Sequence, residues 1–179
     1  MNDFQMDIEI PMGVEAVSRL QSVKRWHMVD TTRTQTVAEH SMNVAMLAYY
    51  IAASAPELYF GSPERIMPAA MFHDVQEAFM GDIPTQTKKY LKGLDVLEDV
   101  LVPREFRYYP NPDHEMLVKI CDLADGIHFI EKYGVDRVAV FAANGLRTAM
   151  VNKMIEAKAK WPERVHAHVN DKIQAYLYI

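Results

Sequence analysis

The chain has 179 residues, of which 50% are apolar and 24% charged; a protein of this size folds as one domain, residues 1–179, and buries about 70% of its extended surface without help from a disulfide or structural metal. The net charge of −5 and pI near 5.8 exclude a nucleic-acid polymer as main partner, because phosphate-backbone binding calls for a basic face. The single cysteine, Cys121, excludes a disulfide framework and fits a reducing compartment, while the lack of any apolar run near about 20 residues and of a signal-peptide pattern in MNDFQMDIEI makes the cytoplasm the expected location, with no membrane partner.

Nearly every segment reads at helical period, and strand-like alternation is scarce, which predicts an all-α bundle. A first helix is expected over residues 12–22, opened by Pro11. Thr36 and Glu39 have capping-box spacing, and Val37, Val44, Leu47, Ala48 and Ile51 recur on one face, so a second helix runs from Thr36 to near Pro56. Ser62-Pro63 opens a third, with serine as N-cap and proline at the first helical position, and it is expected to reach Met80 and stop at a left-handed Gly81. Residues 82–92 read as a loop followed by a short helix. The three prolines of residues 103–112 mark a loop. Asp113 then caps a helix to Tyr133, closed by Gly134. Another is predicted over residues 136–159, with Gly145 a weak point, and Pro162 starts a last one to near Tyr178.

Chemistry concentrates in three of these segments. His73 and Asp74 are adjacent in AAMFHDVQEAF, late in the third predicted helix, and such a pair in apolar surroundings is costly unless something compensates it, commonly a divalent metal. His40 lies early in the second helix, in TVAEHSMNVAML, and Asp122 lies mid-way along the helix after the proline-rich loop, in MLVKICDLADGI. Consecutive helical residues point about 100° apart, so further ligands for one ion must come from neighbouring helices, as in bundle-core metal sites. Two imidazoles and two carboxylates suit Zn²⁺, Co²⁺, Mn²⁺ or Fe²⁺ and suit Mg²⁺ alone poorly. A histidine alone on an apolar helix is more often a satisfied core residue than a ligand; the joint occurrence raises the reading here. His27, His114, His128, His166 and His168 lack such company and read as surface or supporting residues. Asp125, one turn after Asp122, competes for the fourth ligand position.

Glu77 follows His73 by four residues and Asp74 by three, so a continuous helix puts all three on one face. A carboxylate there can accept a proton from an attacking water. Asp82, past Gly81, suits a general acid or a water-positioning group; a turn aspartate bonding nearby amides is the equal alternative. Arg25, Arg33, Lys88 and Lys119 are the candidate phosphate binders, and Lys119 is one turn before Asp122.

These residues carry a family resemblance. RW at 25–26, VAEHS at 37–41, HDVQEAFMGDIPT at 73–85 with Lys88 after it, and LVKICD at 117–122 resemble the HD-domain phosphohydrolases, and among them the small bacterial 5′-deoxynucleotidases and phage dATP triphosphohydrolases. The resemblance implies an HD-type helical bundle in which His40, His73, Asp74 and Asp122 bind a divalent transition metal (Zn, Co, Mn or Fe), with Mg²⁺ accompanying the substrate. It implies that Glu77 activates the water, that Asp82 assists it, that Arg25 holds phosphate and that Trp26 packs near the sugar. Lys88 and Lys119 are read as further phosphate contacts. The chain has WHM where the bacterial monophosphatases have WPL, so Met28 is expected beside the base and recognition there to differ. Water then attacks the α-phosphorus and expels the 5′-oxygen of a deoxynucleotide. A dNTP such as dATP is the first expected substrate and a dNMP the second. A cyclic-nucleotide phosphodiesterase and a non-catalytic nucleotide sensor are the other readings, the sensor disfavoured by an intact Glu77 and Asp82. The family also implies a homo-oligomer. From about Gly134 onward the match is poor.

Overall fold

The structure is a computed structural model and describes residues 15–55, 59–88, 90–106 and 111–179. Its helices are α1 (Glu15–Arg19), α2 (Val37–Ala53), α3 (Ile66–Met71), α4 (Glu77–Met80), α5 (Thr85–Lys88), α6 (Leu94–Leu101), α7 (Pro112–Tyr133), α8 (Arg137–Lys160) and α9 (Glu163–Leu177), with single 3-10 turns at Pro63–Arg65 and Arg104–Phe106. No strand occurs among the described residues; the isolated bridges Lys24–Thr36 and Thr31–Gly134 tie loops together. The all-α expectation holds, and among the described residues no helix is long and apolar enough to cross a membrane.

α7 is the central element, packed against α2, α3, α8 and α9. Leu117, Ile120, Cys121, Ala124 and Ile127 on its buried face meet Val44, Ala48 and Ile51 of α2, Ile66 and Ala70 of α3, and Val165, Val169 and Ile173 of α9. Each large aliphatic side chain so buried contributes roughly 1.5–3 kcal/mol, which makes this core, rather than any polar cluster, the main source of stability.

The caps explain where the long helices begin. Thr36 accepts from the Glu39 amide at 3.2 Å, and Asp136 accepts from the Ala139 amide at 2.7 Å. Asn111, not Asp113, caps α7: its side chain accepts from the His114 amide at 2.8 Å, and Pro112 takes the first helical position. Asp113 instead accepts from the Trp161 indole at 2.8 Å. His114 is buried, not superficial, and donates to the Phe60 carbonyl at 2.6 Å. α8 passes through Gly145 without interruption. The first helix ends at Arg19 rather than at residue 22; its expected start, with Pro11, lies outside the described residues, as does Pro56. α6 arises in a stretch for which the pattern gave no element.

The main departure concerns the third predicted helix. The segment breaks after Met71, and residues 72–76 form tight turns before α4, held by Val75 N–H to Phe72 C=O at 3.1 Å and Glu77 N–H to Asp74 C=O at 3.0 Å. The reason is packing. Ile66, Ala69 and Ala70 bury into the main core, whereas Phe72, Val75, Ala78 and Phe79 bury into a second cluster with Ala16, Leu20 and Val37. One straight helix cannot serve both. His73 and Asp74 therefore occupy the turn between α3 and α4. Gly81 ends α4 with φ 77° and ψ 169°, a positive-φ conformation as expected but mirror-extended rather than left-handed helical, and accessible chiefly to glycine.

Candidate metal centre

The Thr36 cap fixes the start of α2, so His40 stands one turn in, fully buried, on the side facing α7. The turn after α3 brings in His73 and Asp74, and the middle of α7 brings in Asp122. Ligand atoms of His40, His73 and Asp74 all lie within 4.8 Å of one another. Asp122 flanks them, its Oδ1 3.1 Å from His40 Nε2, while Asp74 Oδ2 lies 3.7 Å from that nitrogen and 3.2 Å from His73 Nε2. The sequence pairs His40, His73, Asp74 and Asp122, and the fold brings those four together.

The donor set fits a cation. His40 Nδ1–H donates to Asp125 Oδ2 at 2.6 Å, and its Nε2 lies 3.1 Å from the Asp122 oxygen, so a proton or a metal ion must lie between those two atoms. Two acceptors facing each other at that distance are relieved by a positive ion between them. His73 donates through Nδ1–H to the Ala70 carbonyl at 2.7 Å, and its Nε2 is buried without a hydrogen-bond partner. A proton compensates the cluster in the ion's place. Burial opposes charge on His73, but Asp74 outweighs it and raises the imidazole to about 9. Burial likewise opposes ionisation of Asp74 and Asp122; His73 holds the first, and a hydrogen bond from His40 together with the charge of Lys119 holds the second, below the usual carboxylate range.

Asp125 already has its bonding capacity engaged by other side chains. Its Oδ2 accepts from Gln35 Nε2 (2.8 Å) and His40, and its Oδ1 from Asn43 Nδ2 (3.0 Å) and the Tyr176 hydroxyl (2.9 Å). Four donors use the roughly four lone-pair directions of a carboxylate.

Around this cluster stand the other sequence candidates. Glu77 is buried, and burial, with Asp74 and Asp82 adding repulsion, pushes its carboxyl up to about 8. One of its oxygens meets Lys88 Nζ at 3.5 Å and the other has no hydrogen-bond partner. Asp82 faces the His27 imidazole at 3.9 Å. Lys119 Nζ contacts Asp122 Oδ2 at 2.5 Å. Arg25, with a side chain only 13% exposed, reaches Asp122 and Asp125 at 3.9 Å each and covers the Trp26 ring at 5.2 Å. Trp26 stacks on Phe129, 6.4 Å between ring centres and 6° between planes. Gly126 lies beneath the indole: a Cβ there would meet the ring at an ordinary contact distance of 3.5 Å and the end of the Leu146 side chain more tightly, at 3.3 Å. Met28 is exposed and makes none of these contacts, and Arg33 pairs with Glu39 outside the cluster. Sequence reasoning missed Gln35, Asn43 and Tyr176. Asn43 carried a signal, one turn after His40; Tyr176 carried none.

Residues 14–99 match the family model described as 5′-deoxynucleotidase YfbR-like. The chain is 30% identical over 155 residues to a dATP triphosphohydrolase of Salmonella phage PMBT28, spanning 80% of this chain and 78% of that protein. It is 30% identical over 128 residues to a 5′-deoxynucleotidase of Cronobacter sakazakii, covering 59% of this chain and 64% of the relative. Among solved structures, the cyanophage S-2L HD phosphohydrolase DatZ, bound to dA and one catalytic Zn²⁺ ion, superposes with a TM-score of 0.81 at 25% identity over 93% of this chain and 97% of that one.

Proposed function

The chain belongs to the HD-domain phosphohydrolases, and we propose that within them it hydrolyses deoxynucleotides at the α-phosphorus, with a dNTP such as dATP as substrate. The reading takes residues 1–179 as one domain acting in the cytoplasm as a homo-oligomer. The observation that carries it is the convergence of His40, His73, Asp74 and Asp122 from three separate segments on one buried point, beside the buried Glu77. Those four side chains would hold a divalent transition ion. When bound, the ion supplies Lewis acidity, easing proton loss from the attacking water and drawing charge from the phosphoryl oxygens.

The chain's own groups do the rest. Glu77 accepts the proton of the water as its oxygen bonds to the α-phosphorus, a role suited to a carboxyl raised toward neutrality. Asp82, at the Glu77 side of the pocket, orients that water. The bond from phosphorus to the 5′-oxygen breaks, and the departing oxygen takes up a proton to give the deoxynucleoside and triphosphate. Arg25, Lys88 and Lys119 bind the phosphates, bidentately for the arginine and as point charges for the lysines. The Trp26 ring packs against the sugar and Met28 lies toward the base.

A second reading, a 5′-deoxynucleotidase acting on dNMPs, is favoured by the family model over residues 14–99. The triphosphate reading draws its support from the phage relative, aligned over most of both chains. Zinc-loaded protein incubated with dNMPs, dNTPs, ribonucleotides and cyclic nucleotides separates the readings by chromatography. Triphosphate released from a dNTP supports the first and free phosphate from dNMPs the second; no turnover with any of several metals refutes both.

A further inference from the structure

We infer that Gln35 and Asp125 are positioning residues, a buried strut that fixes the His40 ligand at one end and the Trp26–Arg25 wall at the other. The inference rests on the phosphohydrolase reading for what the wall contacts, and on geometry alone for the strut. Gln35 is 1% exposed and so is Asp125, and a buried amide or carboxylate persists only when its hydrogen bonds are made. Here they all are. Gln35 Oε1 accepts from the Trp26 indole at 2.9 Å and from Arg25 Nη1 at 3.3 Å, and its Nε2 donates to Asp125. The amide orientation follows from those partners, because reversing it would set N–H against two donors and C=O against a carboxylate. Asp125 in turn accepts a hydrogen bond from His40 Nδ1–H, which keeps the proton on that nitrogen and points Nε2 at Asp122 and Asp74. A carboxylate behind a ligating imidazole sets its orientation and basicity.

A second, independent observation marks the other end. Trp26 has φ 62°, a left-handed conformation that costs a bulky residue of order 1–3 kcal/mol and persists only where the surroundings over-determine it. Gln35 is what does so. Its backbone carbonyl accepts from Arg25 N–H at 2.9 Å while its side chain accepts from the Trp26 indole, and the neighbouring Lys24–Thr36 bridge closes the loop. The same residue thus holds the loop from both backbone and side chain, one position before the Thr36 cap that places His40. Tyr176, from α9, and Asn43 complete the support of Asp125 from behind.

The test uses two near-isosteric variants, D125N and Q35M, each with wild-type helicity verified by circular dichroism. Zinc affinity is read by competition with a chromogenic chelator, apart from activity, and KM and kcat are read on the substrate found for the wild type. D125N offers one acceptor oxygen where four donors converge, and is expected to weaken zinc binding about 10–100-fold. Q35M leaves the four metal ligands in place but frees the indole and guanidinium, and is expected to raise KM about tenfold, the worth of one buried hydrogen bond, with a smaller change in kcat. If D125N does not fold, Y176F removes a single donor and is expected to lower zinc affinity roughly three- to tenfold. Wild-type zinc affinity in D125N, or in Y176F where it must stand in, overturns the inference, as does an unchanged KM in Q35M. A wild type that binds zinc, weakens as expected in D125N and hydrolyses no nucleotide keeps the His40 end of the strut and refutes the phosphohydrolase reading instead.

Discussion

Proton and cation compete for His73, and that competition has a calculable size. Asp74 raises the imidazole from an ordinary 6.5 to about 9 against the opposing effect of burial, so the metal-free site holds a proton that an incoming ion must displace. Between about pH 6.5 and about pH 8.5 the deprotonated fraction of such a group rises roughly 75-fold, against about twofold for an unperturbed histidine. Apparent zinc affinity, measured by chelator competition across that range, is expected to climb close to tenfold per pH unit. The metal-free fold shows the opposite trend. His73 contributes stability that is full below its unfolded value of 6.5 and disappears as pH rises through about 9. Glu77 acts in the same direction, since a carboxyl raised from 4.5 to about 8 makes folding less favourable as pH climbs between those values. Melting temperatures of stripped protein should therefore fall from pH 6 to pH 9 while the zinc-induced increment grows. An affinity that changes only about twofold over the range would refute the coupling of His73 to Asp74.

Replacing Glu77 by Gln removes the proton acceptor without touching the four ligands; turnover is expected to fall about 10²–10⁴-fold with zinc affinity retained, and residual activity near wild type in a single-turnover assay would remove Glu77 from its role. Thr36→Ala deletes the cap that starts α2 and should cost about 0.5–2 kcal/mol in urea denaturation, with a matching loss of zinc affinity because His40 is one turn away. Gly126→Val pushes a branched side chain into the Trp26 indole and Leu146; about 1–3 kcal/mol of stability and a raised KM are expected, and an unaltered KM would show that the indole does not face the substrate.

The four-residue cluster was legible because each ligand sits in a distinct motif on a periodic, apolar segment. The break at residues 72–76 was not, since Phe72, Val75 and Phe79 continue the spacing of a helix while the face they bury changes from one cluster to another. Periodicity reports that a face is apolar; it does not say which neighbour the face meets. Spacing alone left Asp122 and Asp125 open for a related reason, as they lie one turn apart on α7; the LVKICD resemblance favoured Asp122, and the four donors around Asp125 are what the spacing could not show. Asn111 and Asp113 were both competent caps, and Pro112 at the first helical position marks Asn111. Tyr176 reaches Asp125 across 51 residues, a separation at which a local pattern holds no information.

That last contact bears on how the carboxylates of the site divide their work. In the absence of an ion, Arg25 and Lys119 lean on Asp122 and Lys88 leans on Glu77, so the groups proposed for phosphate spend their charge on acids. Were Asp74 and Asp122 to hold an ion, it would take over the neutralisation of Asp122 and leave Arg25 and Lys119 for phosphate oxygens, while Lys88 stays beside Glu77. Affinity for ion and substrate is then coupled, and linkage requires the coupling to be the same in both directions. Asp125 can stay outside this exchange because Gln35, Asn43, His40 and Tyr176 already satisfy it. A fully bonded carboxylate behind the ligands, beside two that change partners in front, lets the site reorganise its charges without moving the imidazole that faces them.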